Sequence, residues 1–399
     1  MRILIVHNRY QQPGGEDAVA STEFDLLKDF GQEVRLYERG NDEIKDYSLL
    51  ERMNSLWKMG WSEDSYNYIR KILKEFSPDV VHCHNIFFAI TPSVYQACRD
   101  EGVPVVQSLH NFRLLCSNAL FFRGGKVCEE CLDHKNLWRG VFYGCYRNSR
   151  LMTALMVRML QDHWKRGTWL DMVDLYITAT EFSRRKYITA GIPAEKIAVK
   201  PHVNLSDTVK ENRDQGYALY AGRLTPEKGV RILLEAWKKK AYLPLKIVGD
   251  GPMAAELKKE FQGIEVDFLG FVPEGRYDEC MKGAKFLIVP SLCYENFPRV
   301  VAEAYSYGVP VLASSLGGFP EIVFEGRTGL LFRPGDIDHL LEKIQWMVSH
   351  QDQRRVMEEN IRQIYTTSFS ARKNYEMLMD IYTKAVAQRT VAKAKVVSI

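Results

Sequence analysis

What this chain lacks narrows it first. No apolar run comes near the ~20 residues that a membrane-spanning helix needs; the longest, such as Ile3–Val6 and Phe286–Val289, are strand-length. Met1-Arg2 passes directly into Ile3-Leu4-Ile5-Val6, with neither the longer apolar region nor the small-residue cleavage site of an export signal. The expected compartment is therefore the cytoplasm, and the N-terminus reads as a first buried strand. Eight cysteines in 399 residues are too few for a disulfide scaffold. Charge of one sign is also missing: 54 basic against 50 acidic residues leave +4, too little for a nucleic-acid-binding patch. With 46% hydrophobic and 26% charged residues, the composition excludes disorder as the main state.

What is present is a repeated grammar of short Val/Ile/Leu-rich runs, turns and helical stretches. At about 100–200 residues per domain the length fits two or three domains. One tract predicts strands at 2–7, 33–37, 79–84, 103–110, 175–178 and 197–200, and a second at 217–222, 245–250, 266–270, 285–290, 309–314 and 329–332. Strands that are apolar on both faces and alternate with helices indicate parallel sheets covered by helices. The expected fold is α/β, two doubly wound Rossmann-like domains facing a central cleft, with ligands at the carboxyl ends of the strands. Asn204–Gly216, polar and aperiodic, reads as the linker. The expected division is 1–205 for an acceptor-side domain and 206–369 for a donor domain. A helix at 370–388 would pack back on the first domain, and 389–399 would form a frayed tail.

The second tract carries the densest chemistry. Ser291 to Ala304 follows a predicted strand and contains Glu295 and Glu303, with Pro298 suited to the first turn of a helix. Glu295 then lies in the turn before the helix and Glu303 inside it. A carboxylate can accept from two vicinal sugar hydroxyls at once; a dipole-favoured acid and a surface glutamate would look the same. Ala221-Gly222-Arg223-Leu224-Thr225-Pro226-Glu227-Lys228-Gly229 follows another strand, and Arg223 with Lys228 can converge on a diphosphate. Gly249-Asp250-Gly251-Pro252 follows a third strand, where glycine permits a close backbone approach to a ligand.

Taken together, these stretches resemble the retaining glycosyltransferases of family 4, which have the GT-B fold and are common in bacterial surface-polysaccharide assembly. Ser314 to Glu321 and Gly326 to Leu331 also match, as do Pro13-Gly14-Gly15-Glu16, Pro78 to His82 and Ser108-Leu109-His110-Asn111 in the first half. The order of motifs is kept over nearly the whole chain. The resemblance implies a metal-independent transfer of a hexose from a nucleoside-diphosphate sugar to a glycan or lipid-linked acceptor, with no catalytic cofactor. It assigns Arg223 and Lys228 to the diphosphate, Glu303 to the ribose, and Glu295 and His110 to the donor sugar as the catalytic pair. Gly15 and Gly249 line the donor site, and base selection falls to the backbone around Gly270-Phe271-Val272. One departure stands out: many relatives carry glycine where this chain has Pro298, which has no N–H, so a phosphate contact there passes to the amides of Phe297 or Arg299. His110 remains open between base, orienting donor and buried structural residue. A sugar-nucleotide epimerase of the same shape, or a silent sugar-nucleotide-binding or zinc-dependent interaction subunit, are the alternative functions.

Two features lie outside that pattern. Cys116, Cys128, Cys131 and Cys145 place a C-x-x-C pair with one cysteine 12 residues before it and one 14 after, the spacing of a structural zinc site. Around Asn148–Lys165, Leu151, Met152, Leu155, Met156, Met159 and Leu160 share a helical face beside Arg147, Arg150, Arg158, Lys165 and Arg166. Such a helix either lies on an anionic membrane surface or packs on its own domain.

Overall fold

The computed structural model describes residues 1–10, 14–44, 60–202 and 208–397. Pro13 and the expected boundary at 205/206 lie outside the described residues. The chain divides into two compact units. Unit one takes Met1–Ala119, Glu129–Pro201 and Asn374–Ile399; unit two takes Leu120–Cys128 and His202–Lys373.

All twelve expected strands form: β1 and β2 run two and three residues beyond the expected ends, and the others match within two residues at either end. Unit one contains β1 (Arg2–Arg9), β2 (Glu33–Gly40), β3 (Val80–Cys83), β4 (Val105–Ser108), β7 (Leu175–Thr178) and β8 (Ile197–Val199), between which the small hairpin β5 (Phe122–Arg123) and β6 (Lys126–Val127) belongs to unit two. The unit-one sheet is parallel with order β2-β1-β3-β4-β7-β8. Its central strands β1, β3, β4 and β7 are buried on both faces, and on one of them Ile3, Ile5, Val80, Val106 and Leu175 meet Leu378, Ile381, Tyr382 and Ala385 from the last helix. That helix spans Ala371–Val397, so the expected tail from 389 is helical through Val397. Its run of Ala, Lys, Val and Arg holds good helix formers and no Gly or Pro to end it.

Unit two contains β9 (Tyr217–Ala221), β10 (Leu245–Val248), β11 (Val266–Gly270), β12 (Ala284–Val289), β13 (Val311–Ser314) and β14 (Gly329–Phe332) in the parallel order β11-β10-β9-β12-β13-β14. Numbered by appearance this is 3-2-1-4-5-6, the dinucleotide-binding order, which reverses between β9 and β12. The helix Val230–Lys239 buries Val230, Leu233, Leu234 and Trp237, the i, i+3, i+4, i+7 stripe of an amphipathic helix, in this unit's core. The expected linker is mostly not one. Lys210, Arg213 and Gln215 donate backbone N–H groups to the carbonyls of Ser306, Lys282 and Gly283, so the described part, 208–216, is stitched along unit two. Backbone pairing, invisible in a polar and aperiodic stretch, explains the difference; 203–207 lie outside the described residues.

Candidate active site

In unit two the loops after β9 and β12 flank the point where the strand order reverses. They are tied together by backbone and side chain. Leu292 donates its N–H to the Glu227 carbonyl at 2.8 Å. Lys228 Nζ donates to Glu295 Oε1 at 2.6 Å, and Ser291 Oγ donates to the same oxygen at 2.8 Å. Gly229 makes this closeness achievable: it sits at φ +70°, and a Cβ there would lie 1.9 Å from the Pro290 carbonyl oxygen. Desolvation works against the charge on Lys228, but Glu295 beside it, with help from Cys293 and Glu227, holds its pKa above the ordinary lysine value. The result is a cation and a carboxylate fixed at the carboxyl ends of β9 and β12, each partly open.

Arg223 lies exposed in the same loop, its backbone carbonyl accepting from Tyr220 Oη at 2.9 Å. Gly249 has a different task from the one its motif suggests. At φ +126°, a Cβ on it would meet the Gly222 carbonyl oxygen at 2.0 Å, so the missing side chain is filled by the Arg223 loop and not by a ligand. The helix Arg299–Tyr305 starts one residue later than expected: Pro298, at ψ 101°, is its N-cap and not its first residue. Phe297 is buried against His202 and Phe369, which orients the chain into that helix. Glu303, one turn in, receives Tyr277 Oη at 2.5 Å and pairs with Arg299 at 3.2 Å. Tyr277 carries no motif of its own. Its spacing shows nothing, and only the tertiary fold brings it to Glu303. Burial and the Glu303 charge hold its phenol well above the usual value, so it stays a donor. Past β11, Phe271 is 86% exposed.

In unit one the strand order reverses between β1 and β3, and the site residues again gather at the carboxyl ends. Gly15 opens the helix Gly15–Asp29, with Gly14 as N-cap, and the Gly14 N–H donates to Asp17 Oδ2 at 2.7 Å. Asp17 Oδ1 also lies 2.9 Å from His7 Nε2 on β1. Burial opposes its charge, yet the His7 contact and two backbone donors hold the Asp17 carboxyl below the usual range. Glu16 accepts from Asn111 Nδ2, and burial pushes its carboxyl up. His110 sits two residues past β4 and is partly open; its Nε2 is 2.9 Å from His84 Nδ1. A partly open cavity adjoins Glu16, His84, His110 and Asn111.

His82 and His84 are wholly buried next to Glu23 and Lys200, two residues that sequence reasoning passed over. The signal was faint: Glu23 falls on the buried stripe of its helix with Val19, Ala20, Leu26 and Leu27. Among the described residues, Glu23, His82 and His84 form the only group of three metal-type ligands with donor atoms within 4.8 Å of one another. They do not fit a metal. Lys200 Nζ already occupies Glu23 at 2.7 Å as the cation, and His82 uses both nitrogens, on Tyr382 Oη at 2.8 Å and Ser108 Oγ at 2.9 Å.

Of the four expected zinc ligands, Cys128 belongs to unit two and Cys116, Cys131 and Cys145 to unit one. The Cys116 thiol donates to Asn118 Oδ1 at 3.0 Å, and the Cys131 sulfur lies 4.0 Å from the Leu137 carbonyl oxygen. Short helices at Glu130–Asp133 and Arg139–Tyr143 carry Cys131 and precede Cys145. The helix Arg150–Lys165 buries Met156, Met159 and Leu160 in its own unit, leaving Leu151 69% exposed.

A family model for glycosyl transferases group 1 matches residues 204–364, and one for Glycosyltransferase Family 4 matches residues 25–202. The chain is 24% identical over 406 residues to the Escherichia coli UDP-Gal:alpha-D-GlcNAc-diphosphoundecaprenol alpha-1,3-galactosyltransferase, covering 94% of this chain and 95% of that one. It is 30% identical over 207 residues to the E. coli O-antigen chain mannosyltransferase B, covering 44% of this chain and 53% of that one. Against three curated relatives matching at 30% identity, the chain spans only 29%, 50% and 53% of their lengths. Among solved structures, Anabaena HepE in complex with UDP superposes with a TM-score of 0.67 at 18% identity, over 96% of this chain and 100% of that one.

Proposed function

Because the chain belongs to the family 4 glycosyltransferases with the GT-B fold, we propose that it transfers a sugar from a nucleoside-diphosphate donor to a glycan or lipid-linked acceptor in polysaccharide biosynthesis. The observation that carries this reading is the Lys228–Glu295 pair at 2.6 Å, at the strand-order reversal of a 3-2-1-4-5-6 sheet. Lys228 and the exposed Arg223 present positive charge where a diphosphate would lie, with the arginine fork matching phosphate oxygens. Glu295, relieved of part of its pairing when phosphate engages Lys228, is left to accept from the donor sugar. Glu303, oriented by Tyr277 and Arg299, accepts from the ribose hydroxyls, and the first amides of the Arg299–Tyr305 helix face the phosphates. The base rests against Gly270–Val272, where Phe271 stands open to stack on it.

In unit one the N-terminus of the 15-residue helix beginning at Gly15 offers amides to the phosphates, and His110 contacts the donor sugar. Charge building on the leaving diphosphate is met by Arg223, Lys228 and amides, so the reaction needs no divalent ion. Transfer retains the anomeric configuration, the leaving phosphate taking the acceptor proton on the same face. These roles predict donor binding before any acceptor is known. Calorimetric titration with UDP-, GDP- and ADP-sugars should find one tight class, with slow hydrolysis of that donor giving the sugar in its original anomeric form. Binding of none of the three sinks the transferase reading, and an inverted product sinks retention.

The acceptor side is proposed to touch the cytoplasmic membrane surface. Support comes from exposed Trp138, Phe142, Tyr143 and Leu151, with Arg150 over the Phe142 ring at 5.8 Å and Arg147 over Tyr146 at 5.5 Å. Apolar rings interleaved with arginines suit an anionic bilayer interface. No described helix is long and apolar enough to cross a membrane. Sedimentation with vesicles containing anionic lipid should lose the Phe142→Ser, Leu151→Ser double variant while retaining the parent; equal sedimentation removes the contact.

A further inference from the structure

Ser291, two residues past β12, is fully buried, yet its hydroxyl ends on the carboxylate of the Lys228–Glu295 pair. Both of its chain neighbours are tied to the loop that carries Lys228: the Pro290 carbonyl packs on Gly229, and the Leu292 N–H donates to the Glu227 carbonyl. Ser291 Oγ and Lys228 Nζ therefore reach Glu295 at the same oxygen, Oε1, at 2.8 and 2.6 Å. The other oxygen, Oε2, accepts from no described residue, and the Glu295 side chain is partly open to solvent. The second carboxylate near Lys228, that of Glu227, is held elsewhere by Thr225 Oγ1 at 2.6 Å.

We propose that Ser291 is a positioning residue for the donor sugar. It pins Oε1 of Glu295, so that Oε2 is the oxygen presented to the sugar hydroxyls, and it holds that orientation when the diphosphate draws on Lys228. The role rests on the placement of the donor against Glu295 and Lys228 given above. A carboxylate only accepts, so the serine hydroxyl must be the donor. Serine has a single O–H, and here it is shut away from water with Glu295 as its acceptor. Lys228 differs on both counts: an ammonium has three donors, and this one is partly exposed, so water or a phosphate can compete for it. Of the two holds on Oε1, the lysine's is the exchangeable one and the serine's is permanent. Without the serine, a carboxylate loosened from Lys228 would turn freely about its side-chain torsions. The cost of ordering it again would fall on the sugar contact, not on the diphosphate.

Ser291→Ala removes the hydroxyl and adds no atom. Calorimetric titration of the full chain with UDP-, GDP- and ADP-sugars, and with UDP, GDP and ADP alone, separates the two parts of the donor. For the nucleotide sugar that binds the parent chain, Ser291→Ala should lose affinity about fivefold, the size of one hydrogen bond, while the matching nucleoside diphosphate binds within about twofold of the parent. Equal losses for the two ligands make Ser291 a support of the whole loop and overturn the proposal, as does an unchanged affinity for the nucleotide sugar. Ser291→Cys, which fills the same space with a weaker donor, should divide the ligands in the same way and serves if the alanine variant does not fold. In a Glu295→Ala background, Ser291→Ala should cost nothing further, because the group it positions is gone; a second loss of the same size overturns the proposal. A folded parent chain that binds none of the three nucleotide sugars removes the donor reading itself, an outcome distinct from a parent that binds its donor and a variant that loses sugar and diphosphate alike.

Discussion

Both sheets reverse their strand order next to the first strand, and both gather polar groups there, but at different depths. In unit two, Lys228 and Glu295 belong to neighbouring loops and keep 33% and 12% of their side-chain surface. In unit one, Glu23 and Lys200 keep 3% and 1%, and they pair across 177 residues of sequence. The first arrangement lets a ligand compete for each charge, since water already reaches it. The second cannot exchange partners without opening the unit. One pair is open to competition from solvent or a ligand; the other is sealed in the interior of its unit.

The largest expected effect sharpens that contrast. Glu23→Ala strands Lys200 as an unpaired buried charge and should cost roughly 3–5 kcal/mol in urea unfolding. Lys228→Ala should cost under about 1 kcal/mol of stability, because its pair is partly solvated. Equal losses would break the comparison. In donor binding the order inverts: Lys228→Ala should weaken affinity roughly 10–150-fold, the range for one charge-assisted contact of about 1.5–3 kcal/mol. Glu303→Gln should weaken it about fivefold, read in the same calorimeter. Unchanged affinity in both variants removes the diphosphate and ribose assignments.

Acid should separate the units next. Unfolded histidines take up protons near pH 6.5, whereas in the fold burial holds His82 down to about 4 and His110 to about 3. Between those limits the unfolded chain binds more protons than the folded one, so unit one is at full strength above about pH 6.5 and loses stability as pH falls toward 4. Hydrogen exchange at pH 5 should show β3 and β4 losing protection before β9 and β12; simultaneous loss would contradict the difference in depth. The smallest expected effect is none. Under the proposed function chelation should leave turnover unchanged, because phosphate charge is there met by side chains and amides. Activity restored only by added divalent ion would refute this.

The same contrast explains what could be read from the sequence. The central strands were legible because burial on both faces leaves unbroken apolar runs, as at Ile3–Val6 and Phe286–Val289. The unit-two site was legible because its residues lie within a few positions of a strand end, so spacing alone orders them. Tyr277 escaped because it reaches Glu303 from another helix, 26 residues away. The buried polar group around Glu23 and His82 escaped for a stronger reason. Glu23, His82, Lys200 and Tyr382 come from four elements, and each alone resembles an ordinary residue of a helix or strand end.

The last helix carries a consequence for how the chain is made. Unit one takes the early stretch Met1–Ala119, yet its sheet is covered by the later residues Leu378, Ile381, Tyr382 and Ala385, and Lys200 waits for Asn374. Unit two uses nothing past Lys373. During vectorial synthesis unit one therefore keeps its apolar strands and histidines uncovered until residues 374–385 have emerged, whereas unit two is complete once Lys373 has. A nascent chain emerged only as far as Lys373 would hold all of unit two and an incomplete unit one, the reverse of the usual N-terminal-first order.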